Sequence, residues 1–151
     1  MRLALDQAEA ARVADEIPIG AVVLDETGEV IAVAHNARES RSDPTAHAEV
    51  LALREAASAR GSWRLDGCAL VVTLEPCPMC AGAAVMSRIG ALVFGSWNDD
   101  YGAAGSRWDL VRDRRLHHRI EVVPGVLAEE CGDVLRAFLE ARRGTIGPEE
   151  V

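Results

Sequence analysis

Two helix starts, thirty residues apart in sequence, constrain this chain more than any other feature. The turn Asp43-Pro44-Thr45 leads into an apolar-periodic helix from about Ala46 to Ala59, which Thr45 can cap and which carries His47 near its start. Pro76 and Pro78 open a second helix that carries Met79 to Ser87, with Cys77 and Cys80 at its beginning. At i and i+3 the two sulfurs share one face of a first turn. A helix N-terminus lowers a thiol's pKa, and an early helical proline such as Pro78 sacrifices no hydrogen bond. Two thiolates and one imidazole suit zinc. For one ion to take all three donors the two helix starts must meet. The C-terminal edge of an open α/β sheet is where such starts converge.

The rest of the pattern supplies that sheet. Leu3, Leu5, Ala8, Ala11 and Val13 give an amphipathic first helix, which Pro18 ends. Ile19 to Leu24 and Val30 to Ala34 flank Asp25-Glu26-Thr27-Gly28-Glu29 and read as a hairpin. Cys68 to Leu74 and Gly90 to Phe94 read as buried strands, and Ile120 to Val123 as a short last one. Ser96 to Ser106 is a polar, glycine-containing loop, and Ala128 to Arg142 a closing helix. Strands alternating with helices imply a sheet covered on both faces. The expected architecture is α/β: a three-layer α/β/α sandwich with a mixed sheet of about five strands. One domain spans residues 1–143, and 144–151 is expected to be a disordered tail.

The chain has 151 residues, room for one domain with a sizeable core. No apolar run is long enough for a membrane span and no signal peptide is evident, so a cytoplasmic protein without membrane contact is expected. The four cysteines are then expected to be unpaired. The net charge of −8 argues against broad, charge-driven nucleic-acid binding. Local basic patches remain, from Arg112 through Arg114, Arg115, His117 and His118 to Arg119, and at Arg142 and Arg143.

The number of donors bears on the type of site. A structural zinc normally has four protein ligands, a catalytic one three plus water. Cys68 and Cys131 lie in apolar patterns and read as small buried hydrophobes. His35, His117 and His118 suit surface or packing roles. A fourth position is thereby left for water. Alone, Cys77-x-x-Cys80 also fits a redox pair or half of a structural zinc knuckle. His47-Ala48-Glu49 upstream shifts the balance, because with Pro76-Cys77-Pro78-Met79-Cys80 it matches the H-x-E…P-C-x-x-C signature of zinc deaminases at every position. Zinc lowers the pKa of its bound water to about 7, supplying hydroxide as nucleophile. Glu49 is the residue placed to shuttle the proton. On an ideal helix, side chains two apart diverge by about 200°, so His47 and Glu49 can flank one metal only at the helix start.

The match extends beyond these motifs. Ile17-Pro18-Ile19-Gly20-Ala21-Val22, Asp43-Pro44-Thr45-Ala46, Thr73-Leu74-Glu75, Met79-Cys80-Ala81-Gly82-Ala83, Ser87-Arg88-Ile89-Gly90 and Gly102-Ala103-Ala104-Gly105-Ser106 all resemble the bacterial tRNA-specific adenosine deaminases, over about residues 1–143. The resemblance implies a cytidine deaminase-like fold, one zinc per chain and a homodimer. It implies hydrolysis of adenosine to inosine at wobble position 34 of a tRNA anticodon, chiefly an arginine tRNA reading ACG. The target base would be flipped out of a splayed loop. By position, Asn36 corresponds to a residue that hydrogen-bonds the purine, and the Ala48 backbone, Pro76 and Ile19 to the pocket wall. Glu75 is expected to orient the metal loop. The chain departs from the family at Asn98, where members commonly carry an acid, and at Leu139 and Glu140 after Phe138 in the last helix. The tail turns acidic at Glu149 and Glu150, which implies fewer phosphate contacts and a shallower salt dependence.

Two other readings compete. A deaminase of a small free base or nucleoside, guanine or cytosine, would use the same zinc motif. A zinc-stabilised binding module would need no Glu49 but would need a fourth protein ligand, for which the sequence offers no good candidate.

Overall fold

A computed structural model describes residues 1–145. Five strands form one mixed sheet in the order β2-β1-β3-β4-β5: β1 Gly20–Leu24, β2 Val30–His35, β3 Ala69–Leu74, β4 Ala91–Ser96 and β5 Glu121–Val123. Strand β1 is antiparallel to both β2 and β3, whereas β3, β4 and β5 run parallel. Strands β2 to β5 therefore all end at the same edge of the sheet, where β1 begins. The segments before Gly20 and after His35, Leu74 and Ser96 are thus brought side by side.

Helices α1 (Arg2–Val13) and α5 (Ala128–Thr145) cover one face, and α3 (Ala48–Arg60) and α4 (Pro78–Met86) the other. Alternation along the strands divides the side chains between the two layers. Val22 and Val71 join Ala4 of α1, while Val23, Leu70 and Val72 join Ala52 and Leu53 of α3 and Ala84 of α4 in the larger core. Cys68 and Cys131 are buried free thiols, as their apolar surroundings imply.

Three local features differ from expectation. Helix α1 buries Ala4, Ala8 and Ala11 and exposes Leu3 and Val13. The reason is its close seat on β1: a Cβ at Gly20 would lie 2.0 Å from the Ala4 carbonyl oxygen, so only small side chains fit between. Thr45 does not cap α3; its hydroxyl donates to Asp43 Oδ1 at 2.7 Å, and the helix begins two residues later than expected. An unforeseen short helix, α2 (Arg38–Arg41), follows β2. Helix α5 runs on through Thr145; from residue 146 the expected tail lies outside the described residues.

Candidate active site

The N-caps of α3 and α4 are His47 and Cys77. Serine, threonine, aspartate or asparagine usually fills this place and bonds the first-turn N–H groups. Neither His47 nor Cys77 makes a side-chain capping bond. Both have extended backbone, with ψ of 149° and 170°. For His47 this resolves the helical divergence: its side chain leaves from a non-helical residue and can face the same point as Glu49 in the first turn. Pro78 stands at the start of α4, and Cys80 follows within its first turn.

The three donors converge. His47 Nδ1 lies 3.7 Å from Cys77 Sγ and 3.5 Å from Cys80 Sγ, and the sulfurs are 3.6 Å apart. Tetrahedral zinc with ordinary bond lengths would hold two sulfurs about 3.8 Å apart, and sulfur and nitrogen about 3.6 Å apart. The triangle therefore has the dimensions of a zinc site, with Nδ1 as the imidazole donor. Among the described residues it is the one His/Cys/Asp/Glu group close enough to share an ion. Glu49 lies beside it, 4% exposed, and its Oε2 is buried without a hydrogen-bond partner among the described residues. An orphaned carboxylate oxygen costs free energy unless something polar meets it. Water or substrate at the metal would do so. The residues fit the ion.

Charge in the metal-free cluster is unevenly shared. The contact with Cys80 and the hydrogen bond with His47 draw the Cys77 thiol down to about 4, against its desolvation. The bond with Cys77 raises His47. The same sulfur contact and burial push Cys80 far up, and burial raises Glu49. Cys80, and His47 below its raised pKa, must therefore lose a proton before all three donors can bind. Zinc affinity should fall with pH by about tenfold per unit for each proton displaced. Calorimetry of metal uptake in two buffers of different ionisation enthalpy counts those protons, and uptake without proton release would refute this.

The cluster opens into a cavity of about 590 Å³, lined by Ile17 and Ile19 before β1, Arg38 of α2, Tyr101 after β4 and Leu135 and Leu139 of α5 among others. Ile19 is part of this lining. Asn36, 3% exposed, is not among the lining residues and donates one Nδ2 N–H to Glu16 Oε2 at 3.1 Å. Ala48 and Pro76 are buried beside the donors.

Glu75, expected to orient the metal loop, directs its side chain at the loop after β4. Its carboxylate, 1% exposed, accepts the backbone N–H groups of Asn98, Ala104 and Ser106 at 3.1, 2.9 and 3.0 Å. A Cβ at Gly102 would sit 2.1 Å from its Oε2. The Gly102–Ser106 segment is therefore a loop wound tightly around this carboxylate, which ties the cavity's rim to the residue before Pro76.

Glu16, also 1% exposed, plays a similar part on the other side. It accepts the backbone N–H groups of Glu39 and Ser40 at 3.3 and 2.8 Å, together with Asn36. Those bonds outweigh burial and hold its pKa below the ordinary value. Of the expected basic patches, Arg112, Arg115 and Arg142 form ion pairs with Asp109, Asp113 and Asp15. His118 Nε2 bonds the Ile89 carbonyl at 2.6 Å. Sequence reading missed Arg38, Tyr101, Leu135 and Glu16. No motif marks them, and only the strand order gathers them at one edge.

Residues 1–96 match the family model of the cytidine and deoxycytidylate deaminase zinc-binding region. The tRNA-specific adenosine deaminase of Bacillus subtilis (strain 168) is 49% identical over 143 residues, 95% of this chain and 88% of that protein. A solved structure from work on A-to-I editing by tRNA:A34 deaminases at the wobble position superposes with a TM-score of 0.86 at 41% identity, covering 89% of this chain and 97% of the other. A guanine deaminase from Nitrosomonas europaea superposes at 0.77 with 29% identity, covering 89% and 80%.

Proposed function

The chain belongs to the cytidine and deoxycytidylate deaminase family, as a zinc-dependent hydrolytic deaminase, and from that premise we propose that it converts adenosine to inosine at position 34 of a tRNA anticodon. One observation carries the chemistry: the donor triangle stands beside a buried carboxylate with a free oxygen, at the base of an apolar cavity. Identity to the tRNA-acting relative, at 49% against 29% for the guanine deaminase, carries the substrate.

His47, Cys77 and Cys80 would hold one zinc per chain, which supplies the Lewis acidity that makes water a nucleophile at neutral pH. Glu49 then accounts for the protons. It takes one from the attacking water, gives it to the purine ring nitrogen, and carries the next to the departing amine, so that adenosine and water yield inosine and ammonia. Burial raises the Glu49 pKa toward the range in which a carboxylate can both accept and return a proton. The Ala48 N–H, at the first helical position, has no intrahelical acceptor, and we assign it to the base. Asn36 donates one amide N–H to Glu16, and its second N–H and its carbonyl oxygen would be available to the purine. Ile19 supplies apolar wall, and Pro76, buried next to Cys77, would support it. The finer assignment is an arginine tRNA reading ACG, in the cytoplasm. No helix among the described residues is long and apolar enough to cross a membrane.

The second copy of a homodimer would sit on α3 and α4. Val50, Ala57, Trp63 and Met86 line a shallow cavity of about 350 Å³ there, with Trp63 and Met86 exposed. Sedimentation should give twice the 16.2 kDa chain mass, and Met86→Asp should shift it toward the monomer. A wild-type monomer at assay concentration would refute the dimer.

The functional test treats a tRNA pool with the enzyme and sequences it, with free adenosine, cytosine and guanine assayed in parallel. Inosine confined to position 34 is expected. Turnover of a free base without inosine in tRNA would overturn the reading in favour of a small-molecule deaminase.

A further inference from the structure

The chain is poor in aromatics, with two Phe, three Trp and one Tyr, yet Trp97, Tyr101 and Trp108 stand within one short stretch beside the cavity. All three are exposed. Tyr101 is 66% exposed and lines the cavity that reaches His47 and Glu49. An apolar ring held in water at a cavity mouth is unusual unless something covers it.

The loop that carries Tyr101 is fixed. Its backbone N–H donates to Asn98 Oδ1 at 3.0 Å. The Asn98 carbonyl accepts Gly102 N–H at 2.8 Å and the Ser106 hydroxyl at 3.0 Å. Glu75 clamps the same loop from beneath. Trp97 packs edge-on against Phe94, with ring centroids 4.9 Å apart. Tyr101 is therefore presented by a pre-organised rim, and little order has to be imposed when a ligand arrives.

Charge selects which part of a nucleotide meets that rim. Asp99 and Asp100 are Tyr101's immediate neighbours, and Asp100 also lines the cavity. Two carboxylates repel a phosphate. Arg38, which lines the same cavity from the segment after β2, has no carboxylate within ion-pair distance among the described residues. The two groups come from opposite sides of β1 and β3 in the row of strand ends. The cavity mouth is thus cationic on the β2 side and aromatic with acids on the β4 side. A target base inserted toward Glu49 leaves its strand neighbours at this mouth.

We propose that Tyr101 is a stacking platform for the unpaired base next to the target, while the strand's phosphates keep to the Arg38 side. The inference rests on the polynucleotide substrate proposed above. Aromatic stacking suits single-stranded RNA because every base offers a π-face.

The test is a cycle between protein and substrate. Wild-type enzyme and Tyr101→Ala are assayed on an anticodon stem-loop with A34, and on versions with an abasic site on its 5′ or its 3′ side. Tyr101→Ala should raise KM about tenfold with little change in kcat. Tyr101→Phe, which keeps the ring, should recover most of that loss. On one of the two sides, an abasic site should cost the wild type the same factor and cost Tyr101→Ala nothing more. Additive losses on both sides, or an unchanged KM for Tyr101→Ala, would overturn the proposal. Absence of inosine with wild-type enzyme would instead sink the substrate reading, and the stacking with it.

Discussion

Glu49→Gln should leave the protein folded and carrying one zinc while lowering kcat by roughly two to four orders of magnitude. Glutamine keeps the size of glutamate and can bond the same neighbours, but it cannot take a proton from water and return it to a ring nitrogen. Because Glu49 is buried and its pKa is raised, the folded metal-free protein bears the cost of its charge once pH rises above the unfolded value, and sheds that cost as pH falls. Removing the charge should therefore leave the melting temperature of the metal-free protein at neutral pH unchanged or higher. Activity and stability would part company, as expected for a residue retained for chemistry. Zinc analysis, thermal melts and single-turnover rates on the stem-loop check this. A variant that turns over at the wild-type rate would strip Glu49 of its assigned role.

Cys80→Ala should have the other large effect. Cys80 is fully buried and one of the three donors, 3.5 Å from His47 Nδ1 and 3.6 Å from Cys77 Sγ. Two donors do not hold zinc as three do, so metal content should drop from one per chain to near zero and turnover should vanish. The melting temperature should also fall, because zinc that binds only the folded chain stabilises it by mass action. Chelating the wild-type protein should reproduce most of that fall, separating metal loss from the small void left by the missing sulfur. Full zinc content in Cys80→Ala would mean that the metal sits elsewhere.

How much of this was legible beforehand follows the range over which each feature is determined. The i, i+3 spacing of Cys77 and Cys80 and the place of Pro78 are settled within one helical turn, and the structure reproduces them. The three-layer α/β/α order followed from strands alternating with helices, which puts cover on both faces of the sheet. The cap of α3 did not, because the helix starts at Ala48 with His47 in the N-cap place, which leaves the Thr45 hydroxyl to donate to Asp43. On α1 the burial of Ala8 and Ala11 follows the expected periodicity, but Ala4 replaces Leu3 because the fit against Gly20 admits only the smaller side chain. The partners of Glu75 lie 23 to 31 residues away, where only the return of β4 could bring them, so no local spacing foretells them.

The sequence by itself marked His47, Cys77 and Cys80 as a donor set and Glu49 as the candidate proton carrier, since each belongs to a short motif whose spacing is local. Tertiary structure decided the rest. It set Nδ1 as the imidazole donor, left one oxygen of Glu49 unpartnered, and put Arg38 and Tyr101 at two sides of one mouth. These depend on strand order and on the shared direction of β2, β3 and β4, which form through contacts between distant segments. The linear spacing of residues encodes no such distances.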